Sequence, residues 1–305
     1  TQHQGDCRGL GSILRIRPPR AHRVRHGTAG ARRQYPTEAA LTSAQTQHLL
    51  SAAGVVATVD GPIVRVTLDK PDSRNAQTPG MWEALTALGD DLPEGARVVI
   101  LKGSGSSFSA GLDHRMFGPG IPGEPSLADL ATVEADECDA TIARYQQAFL
   151  WWRQRPVVTI AAVQGHAIGA GFQLALACDL MVVADTASLS MKEVQLGLVP
   201  DLGGTWPLTQ AVGQRRALEL CLTGRAVSGA EAAELGLALA CVPEAELGAV
   251  ADDLAAAILA AMPHATSAVL ELLRGVAGRT HLEQAAAERA AQRGRIMELA
   301  ELLKG

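Results

Sequence analysis

Apolar residues along this chain fall into short runs of two kinds. Residues 55–59 and 63–68 are strand-length and rich in Val and Ile, and Asp60-Gly61 between them is a strong hairpin signal. Residues 98–101 and 180–183 are continuously apolar and 157–163 is apolar but for Thr159, the composition of strands buried on both faces. Other segments follow the helical period. Met81, Leu85 and Leu88 share one face of a helix predicted over 79–88, and a helix is predicted over 127–153. The apolar run 172–177 begins directly after Gly169-Ala170-Gly171 and reads as a buried helix. Ser228-Gly229-Ala230-Glu231 has the form of a capping box, opening a helix that ends at Gly236. Three Ala/Leu-rich helices are predicted at 246–261, 264–274 and 281–303. Strands alternating with helices indicate βαβ crossovers and a largely parallel sheet, hence an α/β fold. The change in composition near residue 207 divides an α/β body, 49–206, from a helical region, 207–305, that can pack on its own subunit or on a neighbour.

Loops interrupt this pattern at chemically suggestive places. Gly103-Ser104-Gly105-Ser106-Ser107 follows one buried strand and leads to Phe108-Ser109-Ala110-Gly111-Leu112-Asp113. A second buried strand leads through Gly165 to Gly169-Ala170-Gly171, where a helix starts. A strand, a glycine turn and a helix N-terminus leave backbone N–H groups unpaired at a positive dipole end, able to hold an anion or a developing oxyanion. From the Gly-Ala-Gly pattern alone, a tight turn with close helix packing is an equally good reading. A Gly/Pro-rich loop at 119–125 and a third glycine turn at 197–204 complete the set.

Composition narrows the function classes. The 305 residues are 47% hydrophobic but only 3% aromatic, so the core is built from Ala, Val and Leu, and base-stacking nucleic-acid modules are disfavoured. No apolar run approaches the roughly 18 residues of a membrane helix. Five scattered cysteines (7, 138, 178, 221, 241) form no CxxC, so neither a zinc site nor a disulfide framework is indicated, and a reducing, cytoplasmic setting is expected. Residues 1–48 hold eight Arg, no Lys and only Asp6 and Glu38, a surplus of +6 in a chain of net charge −5. This basic front segment reads as a disordered extension. It lacks the amphipathic helix of a transit peptide, and a nucleic-acid arm is the least favoured reading.

Several pieces together carry a specific resemblance: 68–76 (Leu-Asp-Lys-Pro-Asp-Ser-Arg-Asn-Ala), 108–113, 156–179, 193–200 (Glu-Val-Gln-Leu-Gly-Leu-Val-Pro), Gly203-Gly204-Thr205 and Leu222-Thr223-Gly224-Arg225. In order and spacing, from about Val55 onward, the chain resembles the crotonase family, also called the enoyl-CoA hydratase/isomerase superfamily. The resemblance implies a crotonase-like ββα spiral core with a C-terminal helical region that oligomerises, as trimers often paired into hexamers. It implies a coenzyme A thioester as substrate, with no permanently bound cofactor, no metal, no nucleic acid and no membrane. It implies oxyanion donors at the backbone N–H of Leu112 and Ala170. It also implies CoA contacts along Lys70, Arg74, Asn75 and Ala76 and along Ser109, Ala110, Gly111 and Asp113, with Gly169 in the second turn. Lys70 or Arg74 could pair with phosphate, a solvated surface cation being the plain alternative. The acyl pocket is expected between Met116 and Ile142. Relatives usually end in a basic segment that touches CoA. This sequence ends at Lys304-Gly305, so that contact is expected to be absent, or the chain to be shortened.

The acid/base residues decide the reaction. Hydratases of this family hold a water between two carboxylates. By motif match one position is Glu193, and the other is Gln173, which hydrogen-bonds water but exchanges no proton near neutral pH. Asp201 occupies a position that is Gly in many relatives and Asp in members that shift double bonds, and in a branch that dehalogenates aromatic thioesters; beginning a turn is its structural alternative. The expectation is therefore an enoyl-CoA hydratase/isomerase-type enzyme in which Glu193 moves a proton and double-bond isomerisation is favoured. True hydration with Gln173 positioning water, and a non-catalytic acyl-CoA binder, are the alternatives. His114 and His166 beside the turns, and Asp113 as a helix cap, are expected to be structural. Cys178 is expected to be inert in its apolar helix, and Trp151 and Trp152 to pack under the sheet.

Overall fold

In a computed structural model the described residues are 43–303. A helix, α1 (Ala44–Ala52), precedes the first strand and buries Thr46 and Leu50. Its start overlaps the segment read as a basic extension, so folded structure begins before Val55; residues 1–42 lie outside the described residues. Strands β1 (Val55–Asp60) and β2 (Ile63–Leu68) form the predicted hairpin, with Gly61 at φ +54° in the tight turn that Asp60 and Ile63 close. Helix α2 (Pro79–Asp90) starts on a Thr78 cap and a first-turn proline. Strand β3 (Val98–Gly103) follows.

The single helix expected over 127–153 is broken. It comprises α3 (Leu127–Leu130), capped by a Ser126–Asp129 box, then α4 (Ala135–Leu150), then a 3₁₀ turn carrying Trp151 and Trp152. Those tryptophans stack with ring centroids 4.0 Å apart in the core. The buried strand β4 (Val158–Val163) leads to β5 (His166–Ile168) and to α5 (Ala170–Ala177), whose eight residues are all buried. Next come β6 (Leu180–Ala184), β7 (Ser188–Ser190) and α6 (Thr205–Thr223), which is interrupted at Gly213. Strand β8 (Val227–Ser228), α7 (Gly229–Glu234) and β9 (Ala240–Val242) precede three helices, α8 (Leu247–Leu259), α9 (Pro263–Arg274) and α10 (His281–Leu302). At α7 the Ser228 hydroxyl accepts from the Glu231 N–H as the motif predicts, but the Glu231 carboxylate pairs with Arg225 rather than closing the box.

Two sheets replace the one expected. The larger has strand order β1-β2-β3-β4-β6-β9, parallel except for the β1/β2 hairpin, and the smaller has order β5-β7-β8. Strand alternation sends Val98, Ile100, Ile160, Ala162 and Val182 to one face, against Leu247, Ala251 and Ala255 of α8. Val99, Leu101, Ala161, Val163 and Val183 face the other way, into the larger core with α2 and α5. The arrangement is the α/β fold with a C-terminal helical region that the pattern implied. No single helix among the described residues is long and apolar enough to cross a membrane.

The small sheet positions the site. Strand β5 pairs with β7 in parallel, and Ser109 bridges to Ala167 of β5. This brings the turn after β3, the turn after β5 and the segment after β7 to one place, although they are far apart in sequence.

Candidate active site

Gly111 adopts φ +87°, and a Cβ there would collide with the Ile168 carbonyl oxygen and lie 3.5 Å from the Ala170 nitrogen. The two glycine turns are thus in direct contact, an approach open only to glycine. Neither the Leu112 nor the Ala170 N–H donates to a backbone acceptor among the described residues, and Ala170, first in α5, has no acceptor within its helix. Both residues line a cavity of about 460 Å³. Two adjoining turns thus bring residues whose backbone N–H groups lack a backbone acceptor to the wall of one cavity.

Glu193 lies on the same wall, in the 3₁₀ turn after β7, and is buried. Its Oε1 accepts from Gln173 Nε2 at 2.8 Å, while its Oε2 is buried with no hydrogen-bond partner among the described residues. Burial, above all, pushes its pKa up; the nearby Asp201 charge pushes the same way, and the Gln173 hydrogen bond opposes it. Asp201 also lines the cavity. Its surface is exposed to solvent overall, and the protein packed around its carboxyl strips enough water from it to push its pKa up as well.

Gln173 is buried, and its Oε1 accepts from the N–H groups of Leu202 (3.0 Å) and Gly204 (3.2 Å). A Cβ at Gly204 would lie 2.6 Å from Gln173 Cγ, so that glycine makes room for the amide. The amide oxygen is fully engaged by backbone, which leaves it no role as an acceptor for water.

The residues expected to meet CoA divide. Asn75 is fully buried at φ +55°: its Oδ1 accepts from the Lys70 N–H, and its Nδ2 donates to the Ser104 and Ser107 carbonyls. The buried Ser109 hydroxyl donates to the Asn75 carbonyl and accepts from the Gly111 N–H. Asp113 caps the turn after it and is gripped by the Arg115 guanidinium, which holds its carboxyl well down, to about 2. These three side chains brace the turn. Ala76 is buried, and its carbonyl accepts from Lys70 Nζ at 3.2 Å; burial pulls the Lys70 pKa down. Arg74 is exposed, at φ +51°. Ala110, Gly111 and Gly169 line the cavity.

The rest of the lining is apolar. Met116, Phe117, Leu127, Leu130, Cys138 and Ile142 come from the stretch expected to form the pocket, joined by Leu196, Leu198 and Val199. Trp82 and Tyr145 also line it, with ring centroids 5.0 Å apart. Sequence reading did not single them out; the only signal available was an aromatic residue on each of two amphipathic helices in an aromatic-poor chain. Lys192, beside Glu193, was missed too. The His114 side chain is 94% exposed, and burial pushes the Cys178 thiol up, away from reactivity. Among the described residues no group of three or more His, Cys, Asp or Glu is placed to hold a metal ion.

Residues 58–299 match the family model described as enoyl-CoA hydratase/isomerase. The Mycobacterium bovis protein echA8, assigned as a probable enoyl-CoA hydratase, is 36% identical over 189 residues, which is 60% of this chain and 66% of that relative, just under two thirds of its length. A carnitinyl-CoA dehydratase from Salmonella typhi is 36% identical over 221 residues, 71% of this chain and 78% of the relative. Among solved structures, a Thermobifida fusca protein assigned as an enoyl-CoA hydratase, in complex with CoA, superposes with a TM-score of 0.79 at 48% identity, covering 83% of this chain and 97% of that one. The same protein is also solved with acetoacetyl-CoA.

Proposed function

The chain belongs to the enoyl-CoA hydratase/isomerase family, and we propose that it is an enoyl-CoA isomerase in which Glu193 carries a proton between two carbons of the acyl group. Complexes of a relative with CoA and acetoacetyl-CoA support an acyl-CoA substrate. The thioester oxygen accepts from the Leu112 and Ala170 N–H groups, so that charge developing on it meets fixed donors in a largely apolar cavity. Glu193 takes a proton from C2 of a 3-enoyl-CoA through its free Oε2. The electron pair moves onto the thioester oxygen as a dienolate, and the same carboxyl returns the proton at C4, with no net gain or loss. Arg74, exposed and without a side-chain partner among the described residues, is the candidate for a CoA phosphate; Lys70 Nζ is already bonded to the Ala76 carbonyl.

One observation carries the preference for isomerisation. The position that needs a second carboxylate for hydration holds Gln173, whose oxygen is tied to two backbone N–H groups and whose nitrogen serves Glu193. One fixed base suffices to shift a double bond. A second reading, hydration, is favoured by Asp201, a second carboxyl on the same cavity with a raised pKa. Parallel assays on 2-enoyl- and 3-enoyl-CoAs of several lengths, with mass detection of added water, separate them. Faster turnover of the 3-enoyl substrates supports isomerisation, and efficient water addition to crotonyl-CoA overturns it. An Asp201→Asn variant that loses water addition selectively would place the second carboxyl there.

The exposed apolar residues of the last two helices, among them Leu273, Leu282 and Met297, fit the expected subunit contact. The mass in solution tests that assignment.

A further inference from the structure

We infer that Gln77 is a positioning residue for the Leu112 oxyanion donor and ties that donor to the wall of the acyl cavity. The inference rests on the oxyanion reading above. Gln77 is fully buried, outside the cavity lining, and uses all four of its polar functions. Its backbone N–H donates to the Gly111 carbonyl at 2.7 Å, and its own carbonyl accepts from the Asp113 N–H at 2.8 Å. These bonds make a parallel bridge that brackets Leu112. In such a bridge the bracketed residue's own N–H points away from the partner strand, here toward the cavity that Leu112 lines. The side chain repeats the link. Gln77 Nε2 donates to the Ser109 hydroxyl at 3.1 Å, and that hydroxyl accepts from the Gly111 N–H at 3.2 Å.

The other end of the amide reaches the substrate pocket. Gln77 Oε1 accepts from the Trp82 indole Nε1 at 2.8 Å, and Trp82 lines the acyl cavity. The chain Trp82 to Gln77 to Ser109 to Gly111 is continuous and buried. Ser109 extends it to the second donor: its N–H donates to the His166 carbonyl, and its carbonyl accepts from the Ile168 N–H, two residues before Ala170. An acyl group pressed on Trp82 and a carbonyl held by Leu112 are therefore coupled through one amide. A leucine or methionine of similar size would fill the space and leave the indole N–H and the Ser109 hydroxyl without this partner.

The test reads carbonyl polarisation directly. Butyryl-CoA labelled with ¹³C at the thioester carbon is bound to the full-length enzyme, and its carbonyl stretch is recorded by difference infrared spectroscopy. The wild type is expected to lower the stretch relative to free ligand. Gln77→Met is expected to lower it less and to reduce kcat about ten- to a hundredfold, with KM within about threefold, because the donor is displaced rather than the binding surface lost. Trp82→Phe, which keeps a buried ring and removes the N–H, is expected to move the stretch in the same direction by less. A wild-type stretch in folded Gln77→Met overturns the inference and leaves the oxyanion reading standing. Should Gln77→Met not fold, an unchanged stretch in both Trp82→Phe and Ser109→Ala overturns it equally. No lowering in the wild type overturns the oxyanion reading itself, and this inference with it.

Discussion

Gln173 Nε2 donates to Glu193 Oε1 at 2.8 Å, and the direction of that bond is set from behind, because Gln173 Oε1 accepts from the Leu202 and Gly204 N–H groups. A flipped amide would face its nitrogen toward two donors and its oxygen toward a carboxylate. The amide therefore works as a clamp: it fixes one oxygen of Glu193 and leaves the other as the atom that can exchange a proton. It also joins α5, which carries the Ala170 donor, to the turn that carries Asp201.

The raised pKa of Glu193 has a signed consequence for activity. A base acts only when ionised, so kcat/KM is expected to rise with pH through an acid limb lying above the ordinary carboxylate range, burial being the main cause. Glu193→Gln is expected to lower turnover about 10²- to 10⁴-fold while sparing acyl-CoA affinity. Near-normal turnover would remove Glu193 from the mechanism.

The same shift acts on stability. A carboxyl whose folded pKa exceeds its unfolded value favours the folded state at low pH, and that contribution is lost as pH rises through the folded value. Glu193→Gln removes the ionisation, so its Tm is expected to match or exceed that of the wild type at neutral pH, the difference shrinking as pH falls. Thermal melts across the acid range check the sign.

Gln173→Glu retains an oxygen for the Leu202 and Gly204 N–H groups and sets a second carboxyl against Glu193. Two such groups cannot both ionise freely, so one must hold a proton. The variant is expected to shift the acid limb of the pH profile upward and to gain water addition to crotonyl-CoA relative to isomerisation. A ratio of the two activities equal to that of the wild type would show that residue 173 does not select the reaction.

Gly111→Ala places a methyl against the Ile168 carbonyl at a positive φ. A loss of about 2–4 kcal/mol is expected from strain and collision, together with loss of turnover as the two donors separate. Urea unfolding and an enoyl-CoA turnover assay on the same sample measure the two effects.

Arg274, on α9, reaches Asp179 with Nε at 2.9 Å and Nη2 at 2.6 Å, and it also donates to the carbonyls of Trp152, Arg155 and Val157. The pair is largely buried, with side chains 18% and 10% exposed. Arg274→Ala leaves Asp179 with its bonds to Thr159 and the nearby Arg153 charge but no directly bonded cation, an expected cost of about 3 kcal/mol. Proteolysis should then begin in the last two helices; uniform loss of the whole fold would show that they do not open separately.

The sequence alone determined β1, β2, β3, β4 and β6, most helices and the two glycine turns. Each rests on local chemistry: apolar runs that must be buried on both faces, Asp60-Gly61 in a tight turn, and a helix starting at Ala170 straight after a glycine. Motif order further pointed to Leu112, Ala170 and Glu193. Local pattern failed where long-range contacts decide. The helix expected at 127–153 breaks at 131–134, and a second sheet forms from short strands, β5, β7 and β8, that no long apolar run announces. Only the tertiary structure showed that Asn75 and Ser109 spend their side chains on the turn, whereas the Asp113 cap was expected from the sequence. It alone showed that Gln173 points its amide nitrogen at Glu193, and that Gln77 joins Trp82 to Leu112. The physical reason is mostly distance along the chain. Which way the Gln173 amide faces, and whether Asn75 and Ser109 meet a ligand or backbone, depends on partners 20 to 34 residues away, and a linear pattern does not encode them.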